Sequence, residues 1–442
     1  MSMLESRLMG ESVIVPGGTI SGSVELPGDK SISHRYAILA ALAEGPSEIA
    51  NYASAADCQS TLECLRRLGV EIEVSGRVIR IDGAGLDGFA EPRRALDAQN
   101  SGSTMRMLLG VLAGQRFRST LTGDDSLRRR PMRRVIEPLR QMGAEISSSD
   151  GDLAPIEIRG GRLQAIDYSS PIPSAQVKSA ILLAGLYAEG VTSVRESVST
   201  RDHTELALRE FGATLERSRG TIRIHPRPRL TGRKLVVPGD LSAAVFLLAA
   251  ALIVPESSLM IHNVGLNPTR ARVLDFLVSI GASIKLASVG LRDGELMGDV
   301  SVRHSTLAGG NVSGAQAAEM IDELPMLAAL GPFTEKGIGI YDAKELRVKE
   351  SDRISTLAEG LRQMGARVEE FADGMRVEGH AAGKLHGAKI DPQGDHRIAM
   401  ALSAAALGAE GDTVIGDADC VAVSFPEFFA TLARLRGAEA AP

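Results

Sequence analysis

The 442-residue chain has no tryptophan, and aromatic residues make up only 3% of it. Its cores must therefore be filled by Ala, Leu, Ile and Val. Cysteine is almost as scarce. Cys58, Cys64 and Cys420 are too few and too scattered for a disulfide framework or a CxxC-type metal site, so a reduced, cytoplasmic protein is expected. The longest apolar run, residues 243–254, is well short of the roughly 20 residues that a membrane span needs. Residues 1–10 lack the apolar core of a secretory signal. There is no GxxxxGK[ST] loop, no GxGxxG is expected to follow a strand, and the eight histidines show no HExxH or other metal-like spacing. Neither a metal nor an organic cofactor is expected. The net charge of −6 argues against a general nucleic-acid binder, so an anionic ligand would have to be held by a local cluster of cations.

What is abundant is glycine, at 47 residues, and it recurs in a pattern. A polar turn, Pro27-Gly28-Asp29-Lys30-Ser31, leads into an Ala/Leu-rich segment that reads as a helix. Similar turns stand at Asn100-Ser101-Gly102-Ser103, Pro173-Ser174-Ala175-Gln176, Pro238-Gly239-Asp240, Ile321-Asp322-Glu323-Leu324-Pro325 and Gly394-Asp395-His396-Arg397. Each is followed by a second helical pattern closing on glycine: Gly69, Gly143, Gly212, Gly281, Gly365 and Gly437, 69 to 84 residues apart. Period-2 segments at 71–81, 213–224 and 367–377 supply strands. Six α/β units of this size exceed the roughly 20–50 residues of solenoid repeats and point to two domains of three units each. The close echo of Pro27-Gly28-Asp29 in Pro238-Gly239-Asp240 puts crossovers near 27–30 and 237–242. The expected domains are 29–239, and 1–28 with 240–442.

Ser, Asp and Asn in the turns read first as helix N-caps. Capping does not explain Lys30, Arg35, Arg106 or Arg397, because a cation at a helix N-terminus is unfavourable unless an anion compensates. Helix starts sharing one orientation would turn these cations toward one cleft suited to anionic small ligands. Residues 128–134 add five arginines with no interleaved aromatic residue for base stacking, so at least one of them is expected to bind a small anion. Lys349 and Arg353, four apart, would share a face if helical, with Glu350 beside them. Asp322 supplies a second acid, and paired carboxylates among cations suit proton transfer on a bound anion.

The runs LPGDKSISHR, NSGSTMR, RRRPMRR, SAQVKSAILLAG, RDHTE, IDELP, LRVKESDR, GDHRIAM and VSFPEF, in this order, resemble the 5-enolpyruvylshikimate-3-phosphate synthase family over nearly the whole chain. The SAQVK and RDHTE forms are similar to its class II bacterial branch. The resemblance implies two domains, each of three βαβαββ units, in an inside-out α/β barrel. It also implies transfer of the enolpyruvyl group of phosphoenolpyruvate to the 5-hydroxyl of shikimate 3-phosphate, through a tetrahedral intermediate with release of phosphate. A monomer that binds only small molecules, with no nucleic acid and no membrane, is implied as well.

By motif, Lys30 lies between both substrates. Ser31, Arg35, Ser174, Ala175, Gln176, Arg201, Asp322 and Lys349 match positions for shikimate 3-phosphate. Asn100, Gly102, Arg130, Gln176, Arg353 and Arg397 match positions for phosphoenolpyruvate. Asp322 matches the acid facing the 5-hydroxyl, and Glu350 the group handling the proton at the enolpyruvyl methylene; with Lys30 they are the catalytic candidates, and the motifs leave open which of the three moves which proton. One departure stands out: Val423 occupies a position where part of the family carries a lysine. Gly102, where alanine would crowd glyphosate, implies sensitivity to that inhibitor. Two other repeat-built enzymes are less well matched. The transferase acting on UDP-N-acetylglucosamine typically uses a loop cysteine absent from residues 120–130, and an RNA 3′-phosphate cyclase would need a catalytic histidine and a more basic surface.

Overall fold

A computed structural model describes residues 10–437, so the reading of residues 1–10 as free of a signal falls almost wholly outside the described residues. Two compact units are present. Among the described residues, one comprises Pro27–Pro238 with Leu291–Glu295; the other comprises 10–26, Gly239–Gly290 and 296–437.

In the unit containing residues 27–238, three sheets repeat one topology: two parallel strands followed by an antiparallel hairpin. Lys234–Val236 runs parallel to Glu44–Ala50, which pairs antiparallel with Val78–Ala84, itself paired to Glu71–Ser75. The same order holds for the sheet of Leu96–Asp97, Arg118–Thr122, Leu153–Arg159 and Glu145–Ser149, and for that of Asp167–Ser169, Thr192–Arg195, Thr221–Ile224 and Leu215–Ser218. Each carries two main helices: α1 (Lys30–Leu42) and α2 (Ala56–Arg67), α3 (Gly102–Leu112) and α4 (Arg133–Gln141), α5 (Ala175–Gly185) and α6 (His203–Glu210), with a single helical turn at Asp125–Arg128 besides.

In the other unit two sheets follow the same plan and the third has three strands and no hairpin. Ser21–Glu25 lies parallel to Ser258–Gly265, beside the hairpin Ser283–Arg292 and Glu295–Arg303. Gly310–Val312, Ile338–Ile340, Gly374–Val377 and Val368–Phe371 form a second sheet, and Lys389–Ile390, Thr413–Ile415 and Ser12–Ile14 a third. Its longer helices are α7 (Leu241–Ile253), α8 (Arg272–Ser279), α9 (Leu324–Ala329), α10 (Arg353–Gln363), α11 (His396–Ala406) and α12 (Phe428–Leu435), with one short turn of helix at Ala315–Glu319. The fold is thus mixed α/β, built of βαβαββ units.

The opening helix of each unit is the more buried. Every residue of α7 is buried, and α1 from Ile32 onward is as well. Helices without a polar face need small and branched apolar residues, which explains the Ala/Leu runs and the near absence of aromatics. The second helices are amphipathic: in α4 only Val135, Ile136, Pro138 and Leu139 are buried. No helix of the described residues is long and apolar enough to cross a membrane.

The caps follow the sequence closely. Asp29, Ser101, Ser174, Asp240, Asp352 and Asp395 each accept a backbone N–H of the helix they open, a contribution of about 1 kcal/mol apiece. Helix α9 departs from this, opening with no side-chain cap and with Pro325 in its first turn. All six closing glycines have positive φ, from 69° to 105°, the conformation that ends a helix with least strain.

The period-2 segments at 71–81, 213–224 and 367–377 do supply strands, each as a hairpin, because the alternation carries on across a tight turn. Two expectations need correction. Lys349 and Arg353 do not share a helical face. Lys344–Val348 is a short 3-10 turn, Lys349 leaves it with ψ −147°, and α10 begins only after the Asp352 cap. A GxGxxG spacing does follow a strand, at Gly83, Gly85 and Gly88, but no helix opens there, so it offers no dipole to a phosphate.

Candidate active site

In the unit of residues 27–238, the expected ligand residues gather at the starts of α1, α3 and α5. Asp29 caps α1 by accepting from Ile32 N at 2.9 Å, which fixes the first turn carrying Lys30 and Ser31. Lys30 Nζ donates to Asp57 Oδ2 at 2.8 Å, so a carboxylate that sequence reasoning missed compensates part of this helix-start charge. Arg35 sits one turn further on and is only 5% exposed. Its Nη1 donates to Ser31 O at 2.7 Å, Nε to Thr204 Oγ1 at 2.6 Å and Nη2 to Ser179 Oγ at 2.9 Å. Burial pulls this guanidinium down to about 10, opposed first by Glu205, so it remains a cation at neutral pH. Arg201, half-buried, is among the charges acting on it.

At the start of α3, Arg130 Nη2 donates to Asn100 Oδ1 at 2.8 Å and to Ser126 Oγ at 3.1 Å, while Asn100 Nδ2 donates to Asp124 Oδ2 at 2.7 Å. Of the arginines at 128–134, Arg130 is the buried one; Arg128 donates to Gly123 O, and Arg133 pairs with Asp152 at 2.8 Å. A side chain at Gly102 would come within 2.8 Å of Arg106 Nη1 and 3.6 Å of Arg130 Nη1. Arg106 Nη1 donates to Gln176 Oε1 at 2.5 Å, and Gln176 Nε2 to Ser103 Oγ at 2.8 Å. Asn100 and Arg130 are thus joined directly, Gln176 is joined to Arg106 and Ser103, and Gly102 leaves open the space between Arg106 and Arg130. Ser174 caps α5 through a long bond of 3.4 Å to Val177 N, with Ala175 and Gln176 half-buried behind it.

In the other unit, the expected residues converge on one guanidinium. Arg353, 1% exposed, donates from Nε to Asp395 Oδ2 at 2.8 Å and from Nη2 to Asp395 Oδ1 at 3.3 Å. Its Nη2 also reaches Glu350 Oε2 at 2.5 Å, and Nη1 lies 3.7 Å from Asp322 Oδ1. Burial by itself would favour the neutral form, but Asp395, Glu350 and Asp322 together hold Arg353 above the ordinary arginine range. Arg397 Nη1 donates to Asp322 O at 2.7 Å, and its Nη2 lies 3.9 Å from Asp322 Oδ2. Desolvation pulls Lys349 below its usual value, with Arg353 adding to the effect against Asp322, Glu345 and Glu350. Asp395, wholly buried, anchors this cluster while capping α11 through Arg397 N at 2.9 Å. Sequence reasoning placed Asp395 in a helix-opening turn but gave it no part in the site; an aspartate whose one oxygen caps a helix can still bind a buried cation.

Chemically, this second cluster offers two carboxylates, Glu350 and Asp322, that are 15% and 19% exposed, each beside a fixed guanidinium. Such groups can accept and return a proton while Arg353, Arg397 and Lys349 stabilise anionic charge. The first group offers fixed cations and helix N–H groups, suited to binding phosphate and carboxylate. Val423 ends a short 3-10 turn, Ala418–Val423, and brings no charge. Among the described residues no cluster of His, Cys, Asp and Glu could hold a metal ion.

The family model described as EPSP synthase (3-phosphoshikimate 1-carboxyvinyltransferase) matches residues 14–432. A protein of Solibacter usitatus with the name 3-phosphoshikimate 1-carboxyvinyltransferase is 53% identical over 96% of this chain and 99% of its own length. One of Koribacter versatilis with the same name is 52% identical over 95% and 97%. Among solved structures, EPSP synthase from Acinetobacter baumannii superposes with a TM-score of 0.85 at 39% identity, covering 96% of this chain and 98% of that one. The enolpyruvyl transferase NikO from Streptomyces tendae, at 19% identity and a TM-score of 0.74, shares the fold.

Proposed function

The chain belongs to the EPSP synthase family, and from that membership we propose the roles of its site residues. The protein transfers the enolpyruvyl group of phosphoenolpyruvate to the 5-hydroxyl of shikimate 3-phosphate and releases phosphate, a step of aromatic amino acid biosynthesis by the shikimate pathway. Arg35, Ser31, Ser174, Ala175, Gln176 and Arg201 hold shikimate 3-phosphate, with Lys349 as a further cation. Asn100, Gly102, Arg130, Arg353 and Arg397 hold phosphoenolpyruvate, and Lys30 serves both ligands.

Protonation of the phosphoenolpyruvate methylene makes C2 electrophilic. The 5-oxygen attacks C2 and loses its proton, giving a tetrahedral intermediate. Loss of phosphate from C2 and of a proton from the new methyl group then restores the double bond on the transferred group. In this proposal Asp322 receives the 5-hydroxyl proton, and Glu350 gives and takes the proton at the methylene carbon. Fixed cations stabilise the charge that develops. The reaction occurs without metal or organic cofactor, in a monomer of the cytoplasm, where free Cys58, Cys64 and Cys420 stay reduced.

The observation that carries these roles is the convergence of Asp322, Glu350 and Asp395 on Arg353. Phosphate release from phosphoenolpyruvate, with shikimate 3-phosphate or UDP-N-acetylglucosamine as acceptor, tests the reading. Release with the first acceptor and none with the second is expected; no release with shikimate 3-phosphate overturns it.

A further inference from the structure

Thr204 and Ser179 belong to none of the roles above, yet both are buried to within 1% of full enclosure and both touch Arg35. The directions of their bonds are fixed by chemistry. Arginine only donates, so Thr204 Oγ1 accepts from Nε at 2.6 Å and Ser179 Oγ accepts from Nη2 at 2.9 Å. Ser179 Oγ donates its proton to Ala175 O at 2.6 Å. The Thr204–Ser179 bond, 2.6 Å, therefore has Thr204 as its donor. One chain of protons runs from Arg35 through Thr204 and Ser179 to the first turn of α5.

Three of the guanidinium's five N–H groups are used in this way or on Ser31 O. Among the described residues the other two, one on each terminal nitrogen, have no acceptor. A fork held along one edge and open at its terminal nitrogens is ready for a two-oxygen anion. The two hydroxyls are themselves fastened. Lys178, 1% exposed, donates to Glu196 at 3.0 Å and Thr200 O at 3.4 Å and pairs with Glu205 at 2.8 Å, pinning the segment that carries Arg201 and Thr204 against α5.

We propose that Thr204 and Ser179 are positioning residues that aim Arg35 at the anionic group of shikimate 3-phosphate. This rests on the reading that Arg35 binds that substrate. Thr204→Val keeps the shape and removes the acceptor of Nε and the donor to Ser179. An arginine that has lost this edge wanders or turns inward, so the substrate it grips should suffer alone.

The test compares steady-state kinetics and calorimetric binding of shikimate 3-phosphate for the wild type, Thr204→Val, Thr204→Ser and Ser179→Ala. Expected is a rise of about tenfold or more in KM and Kd for shikimate 3-phosphate in Thr204→Val. The KM for phosphoenolpyruvate should stay near its wild-type value, and Thr204→Ser should restore the lost affinity. A purely structural role would lower Tm and move both KM values together, or neither, and that result overturns the proposal. Should Thr204→Val not fold, Ser179→Ala, which places a good helix former inside α5, carries the same expectation and the same contrary outcome. A wild type that binds no shikimate 3-phosphate defeats the functional reading itself. A wild type that binds it as well as Thr204→Val does defeats only the positioning.

Discussion

Arg353 illustrates what a buried charge demands. A guanidinium 1% exposed is tolerable only because Asp395 meets it with both oxygens and Glu350 and Asp322 lie beside it. Asp395→Asn keeps an acceptor for the α11 cap but removes the balancing charge. We expect a loss of about 3 kcal/mol in unfolding free energy, read by denaturant titration, and a large fall in kcat. Glu350→Ala, at a more exposed position, should instead lower turnover by orders of magnitude while shikimate 3-phosphate still binds calorimetrically; near-normal turnover would remove Glu350 from the proton transfer. Much of this cluster was legible, because a cation at a helix start advertises itself. Asp395 and Asp57 were harder to see. A capping aspartate looks the same in sequence whether or not it also neutralises a buried cation, and Asp57 meets Lys30 only through the packing of α2 on α1. Similarly, the family motif singles out Arg130, but nothing in the composition or spacing of the five clustered arginines marks it as the one that turns inward.

Among the elements, α1, α2 and α3 are linked by a chain of buried polar groups. His34 Nδ1 lies 2.7 Å from Thr61 Oγ1, which lies 2.6 Å from Thr104 Oγ1, which in turn donates to Ser101 Oγ, the α3 cap, at 2.7 Å. Burial above all, then Lys30 and Arg35, hold the His34 imidazole well below its ordinary value, with Asp29 opposing. The unfolded chain therefore binds a proton that the folded one refuses. Stability is full above about pH 6.5 and declines as pH falls below it, by up to about 1.4 kcal/mol per unit from this group. Denaturation midpoints measured from pH 8 down to 5 should fall less steeply in His34→Gln than in the wild type; parallel curves would contradict this. The same helix starts explain Gly102. Alanine there would press on Arg106, itself tied to Gln176, so Gly102→Ala should raise the KM for phosphoenolpyruvate and the glyphosate concentration needed for inhibition. Helices and their glycine stops could be read from the chain because caps and apolar period are local. The hairpins at 71–81, 213–224 and 367–377 could not, since alternation alone does not record where a strand turns back.

At the scale of the whole molecule, the first strand of two repeats is exchanged. Ser21–Glu25, which precedes α1, pairs with Ser258–Gly265, and Lys234–Val236, which precedes α7, pairs with Glu44–Ala50. The chain therefore passes between the two units at Leu26 and again at Pro238, and the repeated Pro-Gly-Asp marks both passages. The two glycines are nevertheless not equivalent. Asp29 N donates to Pro238 O at 2.7 Å, and Asn51 Nδ2 to Val237 O at 3.0 Å, drawing the two strand ends so close that a Cβ on Gly28 would stand 1.9 Å from Asn51 O and 2.8 Å from Val237. At Gly239 the corresponding neighbour, Asn263 O, would be 3.3 Å away. Backbone cannot yield as a side-chain tip can, so Gly28→Ala must push the strand ends apart. It should cost about 2–4 kcal/mol, whereas Gly239→Ala should cost about 1 kcal/mol or less. Urea titrations of the two variants side by side measure the difference. Because Gly28 immediately precedes the Asp29 cap and Lys30, its variant should also lose turnover at temperatures where it remains folded, and Gly239→Ala should retain turnover. Equal losses in both variants would mean that the passages, and not the clash at Asn51, set the cost.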